Sequence, residues 1–437
     1  MPIPSNMTHQ FPYWWENAPL QTLAETPVDH NVDVVIVGAG YAGLTASISL
    51  ARSGRSVAVF DALRPGEGAS SRNGGITSGN IRPTHDAIVK RFGEQKALAI
   101  EAEGKEARDF LENLIQSENL DCDFQKTGLF VGAIGLKEYE SQARRAETLN
   151  KKLGIESYAV SYAQQQKYIG SDFYRGGSVR MDIGGLHPAK FHSELLRVAI
   201  TAGVSIHSLN PVKSIKNLGE RFEVTTARGS IQTDRVIVCT NGYTNEAVPF
   251  LNRRMVPVRS RMIATQVLPT DLMRKLMPQG MMMGEAGLKM GCYYRPCPDR
   301  QRILLGGRDG TISGDSLAPV MALKNNLIQR FPELENIEIS HTWYGNTAMH
   351  LDMLPRIFER DKILYATGFC GSGTVWATWL GYQAAQKLLS NNASQVSAFD
   401  FAPPAAVPLY RGKPWFIPMV IKGFQLQDVI AMRRARR

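Results

Sequence analysis

Residues 33–61 read DVVIVGAGYAGLTASISLARSGRSVAVFD, an order of residue types that spells strand, turn, helix and second strand. Asp33 to Val37 is a short β-branched run suited to a buried parallel strand. Gly38, Gly40 and Gly43 follow as GxGxxG, and Leu44, Ala46, Ile48 and Leu50 then recur at helical spacing up to Gly54. Ser56 to Phe60 predicts the second strand, which ends in Asp61. Gly38 serves the tight turn, Gly40 lets backbone amides approach a pyrophosphate, and Gly43 lets helix and strand pack closely. The helix N-terminus offers unpaired N–H groups and a positive dipole to phosphates. Asp61 is placed to accept hydrogen bonds from ribose hydroxyls. A lone GxGxxG is weak evidence, but the complete βαβ context makes this an adenine dinucleotide site; NAD and FAD both remain open at this stage.

Three further segments bear on that choice. Residues 66–75, GEGASSRNGG, form a small polar loop directly after the second strand, where Ser70, Ser71 and Asn73 can reach phosphate and ribityl oxygens. Gly74 and Gly75 would let the chain pass beside a flat ring; the bland alternative is a flexible surface turn. Near the other end, YATGFCGSGTVWATWLGYQAAQKLL (365–389) places Gly368, Gly371, Gly373 and Thr374 between a strand and a helix. A second helix N-terminus stripped of large side chains points to a second anionic or polarised group, with about half an elementary charge at the helix end. Between them, residues 230–240, SIQTDRVIVCT, predict a strand that turns at Asn241 and Gly242, and Val212 is placed to present its backbone to an adenine edge.

With these motifs assembled, the chain resembles the D-amino-acid-oxidase-like family of FAD-dependent oxidoreductases, and is most similar to its γ-glutamylputrescine oxidoreductase branch. The PYWWENAP opening, the βαβ unit, the GASSRNGG loop, the LHPAKF helix start, the YYRPCPDRQRILLGGRDG hairpin and the GFCGSGT turn carry the resemblance over nearly the whole length. It implies an α/β fold in which a Rossmann-like, glutathione-reductase-type FAD-binding domain is interleaved with an antiparallel-sheet α+β substrate domain. The expected division is 1–95, 155–248 and 350–437 for FAD, and 96–154 and 249–349 for substrate. Alternation in Arg261 to Leu268 and in Arg302 to Gly306 supports strands in the latter.

The resemblance also implies the chemistry: hydride transfer to flavin N5 from a carbon bonded to an amine nitrogen, followed by hydrolysis of the imine. A free alkylamine has a pKa of about 10, and an apolar pocket favours its neutral form. The reacting carbon must sit about 3 to 3.5 Å from the ring. Tyr294, Arg308 and His350 are the candidate catalytic or substrate-binding residues, with Arg295, Trp343 and Tyr344 beside them. Tyr294 matches a tyrosine that contacts substrate in sarcosine-oxidase-like members, and Arg308 could hold a substrate carboxylate through a bidentate fork. Three family features are missing. The oxygen-activating lysine and the nearby histidine fall near Leu305 and Asp309, and the flavin-tethering cysteine has no match in 345–350. Non-covalent FAD is therefore expected, with oxygen or another electron acceptor. The rival readings are a D-amino-acid dehydrogenase that passes electrons to a quinone and a flavin-dependent tRNA-modifying enzyme.

Composition constrains partners. The formal charge is +10, but Lys and Arg are scattered except for Arg433, Arg434, Arg436 and Arg437, so no nucleic-acid stripe is expected. Five cysteines form no CxxC pair and no ligand set with histidine, which reads as reduced thiols in a cytoplasmic protein without a metal site. The opening residues lack a signal peptide's pattern, and no run of 18 apolar residues exists. The tail PWFIPMVIKGFQLQDVIAMRRARR is apolar then basic. Docking back onto the domain is the expected role, with peripheral membrane contact as the alternative.

Overall fold

In the computed structural model, which describes residues 8–314, 316–390 and 397–435, the run Asn31–Val37 is a central strand. Its sheet runs in the order Arg356–Arg360, Ile363–Thr367, Ser230–Val238, Asn31–Val37, Val57–Phe60 and Ser205–His207. All neighbours are parallel except the outer Arg356–Arg360. The hairpin of Val212–Asn217 and Phe222–Thr226 joins antiparallel to the start of Ser230–Val238. Residues alternate between two buried faces, as the period of a strand requires. Val34, Ile36, Val57 and Val59 pack against helices Tyr41–Arg52, Pro188–Thr201 and Gly373–Leu389, while Val35, Val37, Ala58 and Phe60 meet the hairpin side.

The second sheet has eight strands, in the order Ile339–Met349, Val256–Thr265, Ile303–Arg308, Tyr293–Pro296, Met282–Ala286, Leu129–Ala133, Gly177–Arg180 and Ser157–Val160. It is antiparallel apart from the pairing of Met282–Ala286 with Leu129–Ala133. Register fixes its faces: Tyr293 lies opposite Gly306, and Tyr294 opposite Leu305. One face carries Met262, Ala264, Leu304 and Trp343, together with Trp14; the other carries Ile263, Tyr294, Ile303 and Leu305 under Leu327 and Phe331.

Two parts of the expected division are corrected. Strands Ser157–Val160 and Gly177–Arg180, expected with the FAD-binding part, lie instead in the second sheet, because Gly177–Arg180 pairs with Leu129–Ala133 there and Ser157–Val160 pairs with Gly177–Arg180. Helix Glu94–Ser117, expected with the substrate part, buries Ala97, Ile100, Ala107, Leu111 and Ile115 in the nucleotide-side core. The strands expected from alternation near 261 and 302 are present as Val256–Thr265 and Ile303–Arg308.

The tail forms helix Ile417–Ala435, which docks through buried Ile417 and Ile421 and through Asp428, whose carboxylate accepts from Lys289 N at 2.6 Å and Met290 N at 2.7 Å. Trp415, Met419, Leu426, Val429 and Ile430 stay exposed around it. Arg433 and Arg434 occupy its last turn; Arg436 and Arg437 lie outside the described residues. Among the described residues, no helix is long and apolar enough to cross a membrane.

Helices Tyr41–Arg52 and Gly373–Leu389 cross at backbone contact. A Cβ on Gly381 would stand 2.2 Å from Ala42 O and 2.8 Å from its Cα. Alanine would gain roughly 1 kcal/mol of helix propensity over glycine. Overpacking against backbone, which has no rotamer to change, typically costs about 1–3 kcal/mol. Gly381→Ala is accordingly expected to lower the urea midpoint despite its better propensity and to weaken cofactor retention, since both helices begin at the same cavity. A midpoint equal to or above that of the parent chain would show that this contact is loose.

Candidate active site

A cavity of about 330 Å³ opens where these two helices start. Gly38, Gly40, Asp61, Ser70, Asn73, Val212, Asn241, Gly371 and Gly373 all line it, so nine of the residues singled out in five separate stretches of sequence meet there. Gly38 has φ of +107°, a conformation that only glycine adopts readily. A Cβ on Gly43 would stand 1.9 Å from Gly38 O, so the first helix seats directly on the turn. Gly40 caps that helix and Ser372 caps the other, neither with a side-chain hydrogen bond. Two positive helix ends thus face one cavity, a setting made for anionic or polarised groups.

Asp61 lines the same cavity, directly after strand Val57–Phe60. Its carboxylate accepts from Ala39 N at 2.7 Å and from Leu63 N at 2.9 Å. Burial outweighs those two bonds and pushes its pKa up to about 6. A buried carboxylate raised in this way is poised for further donors, such as the hydroxyls of a ribose.

The loop 66–75 is held by its own polar atoms and by tryptophans. Asn73 donates to Ser70 O at 2.8 Å and accepts from Gly75 N at 2.8 Å and Thr374 Oγ1 at 3.2 Å. Ser71 Oγ donates to Gly66 O at 2.8 Å and accepts from Trp15 Nε1 at 2.9 Å. Trp14 Nε1 donates to Asn73 O at 2.8 Å, and Trp343 Nε1 to Arg72 O at 2.7 Å. Arg295 is fully buried behind the loop and donates to Leu186 O at 2.8 Å and to Gly74 O and Gly75 O at 3.3 Å each. Ser71, Gly74, Gly75, Gly242, Gly368 and Thr374 therefore shape the cavity wall from behind or beside it. Asn241 Oδ1 ties the Gly368 turn by accepting from Gly368 N at 3.0 Å.

The expected catalytic residues are not brought together. Tyr294 points to the far face of the second sheet, where its hydroxyl lies 2.7 Å from that of Tyr174 in the hydrophobic core. Its neighbour Tyr293 faces the loop instead: a Cβ on Gly74 would meet the Tyr293 ring at 2.8 Å, and the Tyr293 hydroxyl lies 3.0 Å from Ser260 Oγ. His350 is buried behind the Gly368 turn, with Nδ1 2.6 Å from Asp352 Oδ1. Arg308 does face the cleft side, donating to Lys289 O. Burial and then the like charge of Arg82 lower its pKa to about 10. Arg82 donates through Nε to Cys370 O at 2.7 Å, and its terminal nitrogen would be 2.5 Å from a Cβ on Gly371. Both guanidiniums act on the Tyr293 phenol, and among the described residues neither has an ion-pair partner. Leu305 is buried on the far face, and Asp309 pairs with Arg261 at 3.1 Å. Tyr293, Ser260, Arg82, Trp14 and Trp15 were missed in the sequence. Strand parity could have found Tyr293; Arg82 lies in a patternless connection.

Residues 33–387 match the family model described as DAO, FAD dependent oxidoreductase. The chain belongs to this family. The γ-glutamylputrescine oxidoreductase of Escherichia coli (strain K12) is 29% identical over 94% of this chain and 95% of its own length. Among solved structures, glycine oxidase from Geobacillus kaustophilus superposes with a TM-score of 0.72 at 19% identity, covering 86% of this chain and 99% of that one. L-Proline dehydrogenase from P. horikoshii gives 0.70 at 18% identity, over 85% and 97%. Those two share the fold. FAD is thus the family's cofactor, and the glycine cradle, the paired helix ends and Asp61 fit it.

The Asp61 carboxyl titrates near about 6 when folded and at about 3.9 when unfolded. Between those values the folded apoprotein holds the extra proton, so its stability falls as pH rises through that window. Donors from a ribose favour the ionised form, so FAD affinity should rise with pH across the same window, by up to about tenfold per unit, and level off above it. Fluorescence titration of the apoprotein with FAD measures this, and Asp61→Asn should flatten the slope. An unchanged slope in that variant would remove Asp61 from the nucleotide site.

Proposed function

We propose that this oxidoreductase oxidises a C–N bond of a small amine or amino acid that carries a carboxylate elsewhere in the molecule, a γ-glutamylputrescine-like substrate being the leading case. The observation that carries this reading is the pair Arg82 and Arg308, two cationic side chains that flank Tyr293 beside the glycine loop and that, among the described residues, have no carboxylate at ion-pair distance. The likeness over nearly the whole chain to an enzyme named for γ-glutamylputrescine supports it further. When bound, FAD supplies the hydride acceptor. The residues of the chain do the rest. Arg82 and Arg308 bind the substrate carboxylate, Gly74 makes room for the Tyr293 ring and Gly75 for the Leu186 carbonyl, and Arg295 keeps that loop in place. The Tyr293 phenol, raised in pKa by burial, stays protonated and offers a hydrogen bond beside the two arginines. The imine formed on the substrate is then released to hydrolysis.

The test is anaerobic bleaching of the flavin by γ-glutamylputrescine, putrescine, sarcosine, glycine, proline and D-amino acids, followed by admission of air to identify the electron acceptor. Carboxylate-bearing amines should bleach it. Arg82→Met and Arg308→Met should each raise KM for such substrates about 10- to 150-fold, the equivalent of about 1.5–3 kcal/mol for a hydrogen bond to a charged group. KM for putrescine, which has no carboxylate, should not rise. Bleaching by none of the panel would remove amine oxidation as tested.

Non-covalent attachment belongs to the same proposal. The five cysteines are buried, and burial pushes the thiols of Cys239, which lines the cavity, and Cys370 up to about 12. Protonated thiols are poor nucleophiles toward a ring methyl. Acid precipitation of the yellow protein should leave the flavin in the supernatant; a yellow pellet would overturn this.

A further inference from the structure

A second set of donors lies outside the flavin cleft, where the segment before the first strand crosses the second sheet. His9 extends that sheet at its edge: His9 N donates to Ser340 O at 2.8 Å and Thr342 N donates to His9 O at 2.9 Å, which sets His9 alongside His341. The 3-10 turn Tyr13–Trp15 brings the chain back, so that Glu16 Oε1 lies 3.0 Å from His341 Nε2. One ligand atom each from His9, Glu16 and His341 lie within 4.8 Å of one another. His9 and Glu16 are exposed, whereas His341 is buried at 1%.

The hydrogen bonds behind His341 determine what Nε2 presents. Ser340 Oγ lies 2.8 Å from Thr265 O and 3.3 Å from Ala264 O, carbonyls that only accept. Its one proton goes to the shorter of these contacts. Toward His341 Nδ1, at 3.0 Å, the hydroxyl therefore accepts, and Nδ1 carries the ring proton. The neutral ring then turns the Nε2 lone pair toward a carboxylate oxygen, two acceptors at hydrogen-bond distance. A cation placed between them satisfies both, and the His9 ring, whose centroid stands 4.8 Å from that of His341, is near enough to bring a third donor. An imidazole anchored through Nδ1–H with Nε2 free is the arrangement of a metal-binding histidine.

We propose that His9, Glu16 and His341 form a binding site for a divalent transition-metal ion of the zinc class, with water completing its coordination. Two imidazoles and one carboxylate suit Zn²⁺, Ni²⁺ or Cu²⁺ better than Ca²⁺ or Mg²⁺, which favour all-oxygen sets. Ligand bonds of about 2.0–2.1 Å need the donors to close by roughly an ångström from their present spread, a movement open to exposed His9 and Glu16. The ion would fasten the same segment whose Trp14 and Trp15 indoles hold Asn73 O and Ser71 Oγ of the cofactor loop. Its role is structural, a clasp between the leading segment and the sheet edge.

The experiment uses untagged, chelator-treated holoenzyme titrated with ZnCl₂ in a calorimeter, with thermal unfolding in parallel. Saturable binding of a single Zn²⁺ and a rise in Tm are expected, with Co²⁺ giving visible d–d bands. His9→Ala and Glu16→Gln, both at the surface, should each weaken binding at least about tenfold and abolish the Tm rise; Ser340→Ala, which frees the ring, should weaken it about 10- to 100-fold. No saturable binding, or binding that persists unchanged in His9→Ala and Glu16→Gln, would overturn the site and leave His341 and Glu16 as an ordinary hydrogen-bonded pair.

Discussion

Two close backbone contacts set the terms for everything near the cofactor cavity. The first helix rests on the Gly38 turn through Gly43, and the helix Gly373–Leu389 rests on Ala42 through Gly381. Any side chain at these points would separate the helices, and their N-termini would no longer share a cavity. Neither N-cap residue makes a side-chain hydrogen bond to its own helix, and at the first helix Tyr41 N donates instead to Ser70 Oγ of the cofactor loop at 3.1 Å. A ligand that supplies anionic and polarised acceptors completes both helices at once. The raised carboxyl of Asp61 is the matching deficit of opposite sign, a buried acceptor awaiting donors. Cofactor binding and fold stability are coupled here for that reason.

The two sheets are joined around the same cofactor loop. Arg295 comes from the second sheet, yet its guanidinium ends among the carbonyls of Gly74, Gly75 and Leu186, with the Trp14 ring 5.7 Å away. Burial brings its pKa down to about 10, so the charge persists at neutral pH without a carboxylate partner. Carbonyl dipoles and an aromatic face are what stabilise it. The tail works toward the same region by a longer route: Asp428 fixes the amides of Lys289 and Met290, and Lys289 O in turn receives Arg308. A segment that reads as a possible anchor in the sequence is thus built into the support of Arg308 in the cleft.

The nucleotide half was legible because its signals are local. A β-branched run, glycines at fixed offsets and an acid after the second strand are read within 29 residues, and the structure folds them together as written. The substrate half was legible only to one residue. Tyr294 was taken for the substrate tyrosine, but the register that sets Tyr293 against Gly306 turns Tyr293 to the cleft and Tyr294 to the core. A strand alternates with period two, so a slip of one position exchanges its faces. Arg82 had no pattern to betray it, because its place is fixed by the Cys370 carbonyl far along the chain. The domain boundaries near 96 and 155 failed for the same reason: which sheet a short strand joins, or which core a long helix covers, is decided by partners remote in sequence.

Two like charges in one cleft are unfavourable unless something relieves them; burial first, and then the charge of Arg82, depress the pKa of Arg308, with Asp428 offsetting only part of it. On the proposed reading, a substrate carboxylate relieves it. The same field acts in the opposite sense on the other end of the molecule, because a protonated amine entering beside Arg82 and Arg308 is repelled, whereas the neutral amine is not. Coulomb's law in a partly desolvated cleft makes that difference larger than it would be in water. The arginines would then do two things with one arrangement, orienting the substrate by its carboxylate and favouring the form of the amine that retains the lone pair needed for hydride loss. No separate base is required to hold that proton, which accords with the placement of His350 behind the Gly368 turn rather than in the cleft.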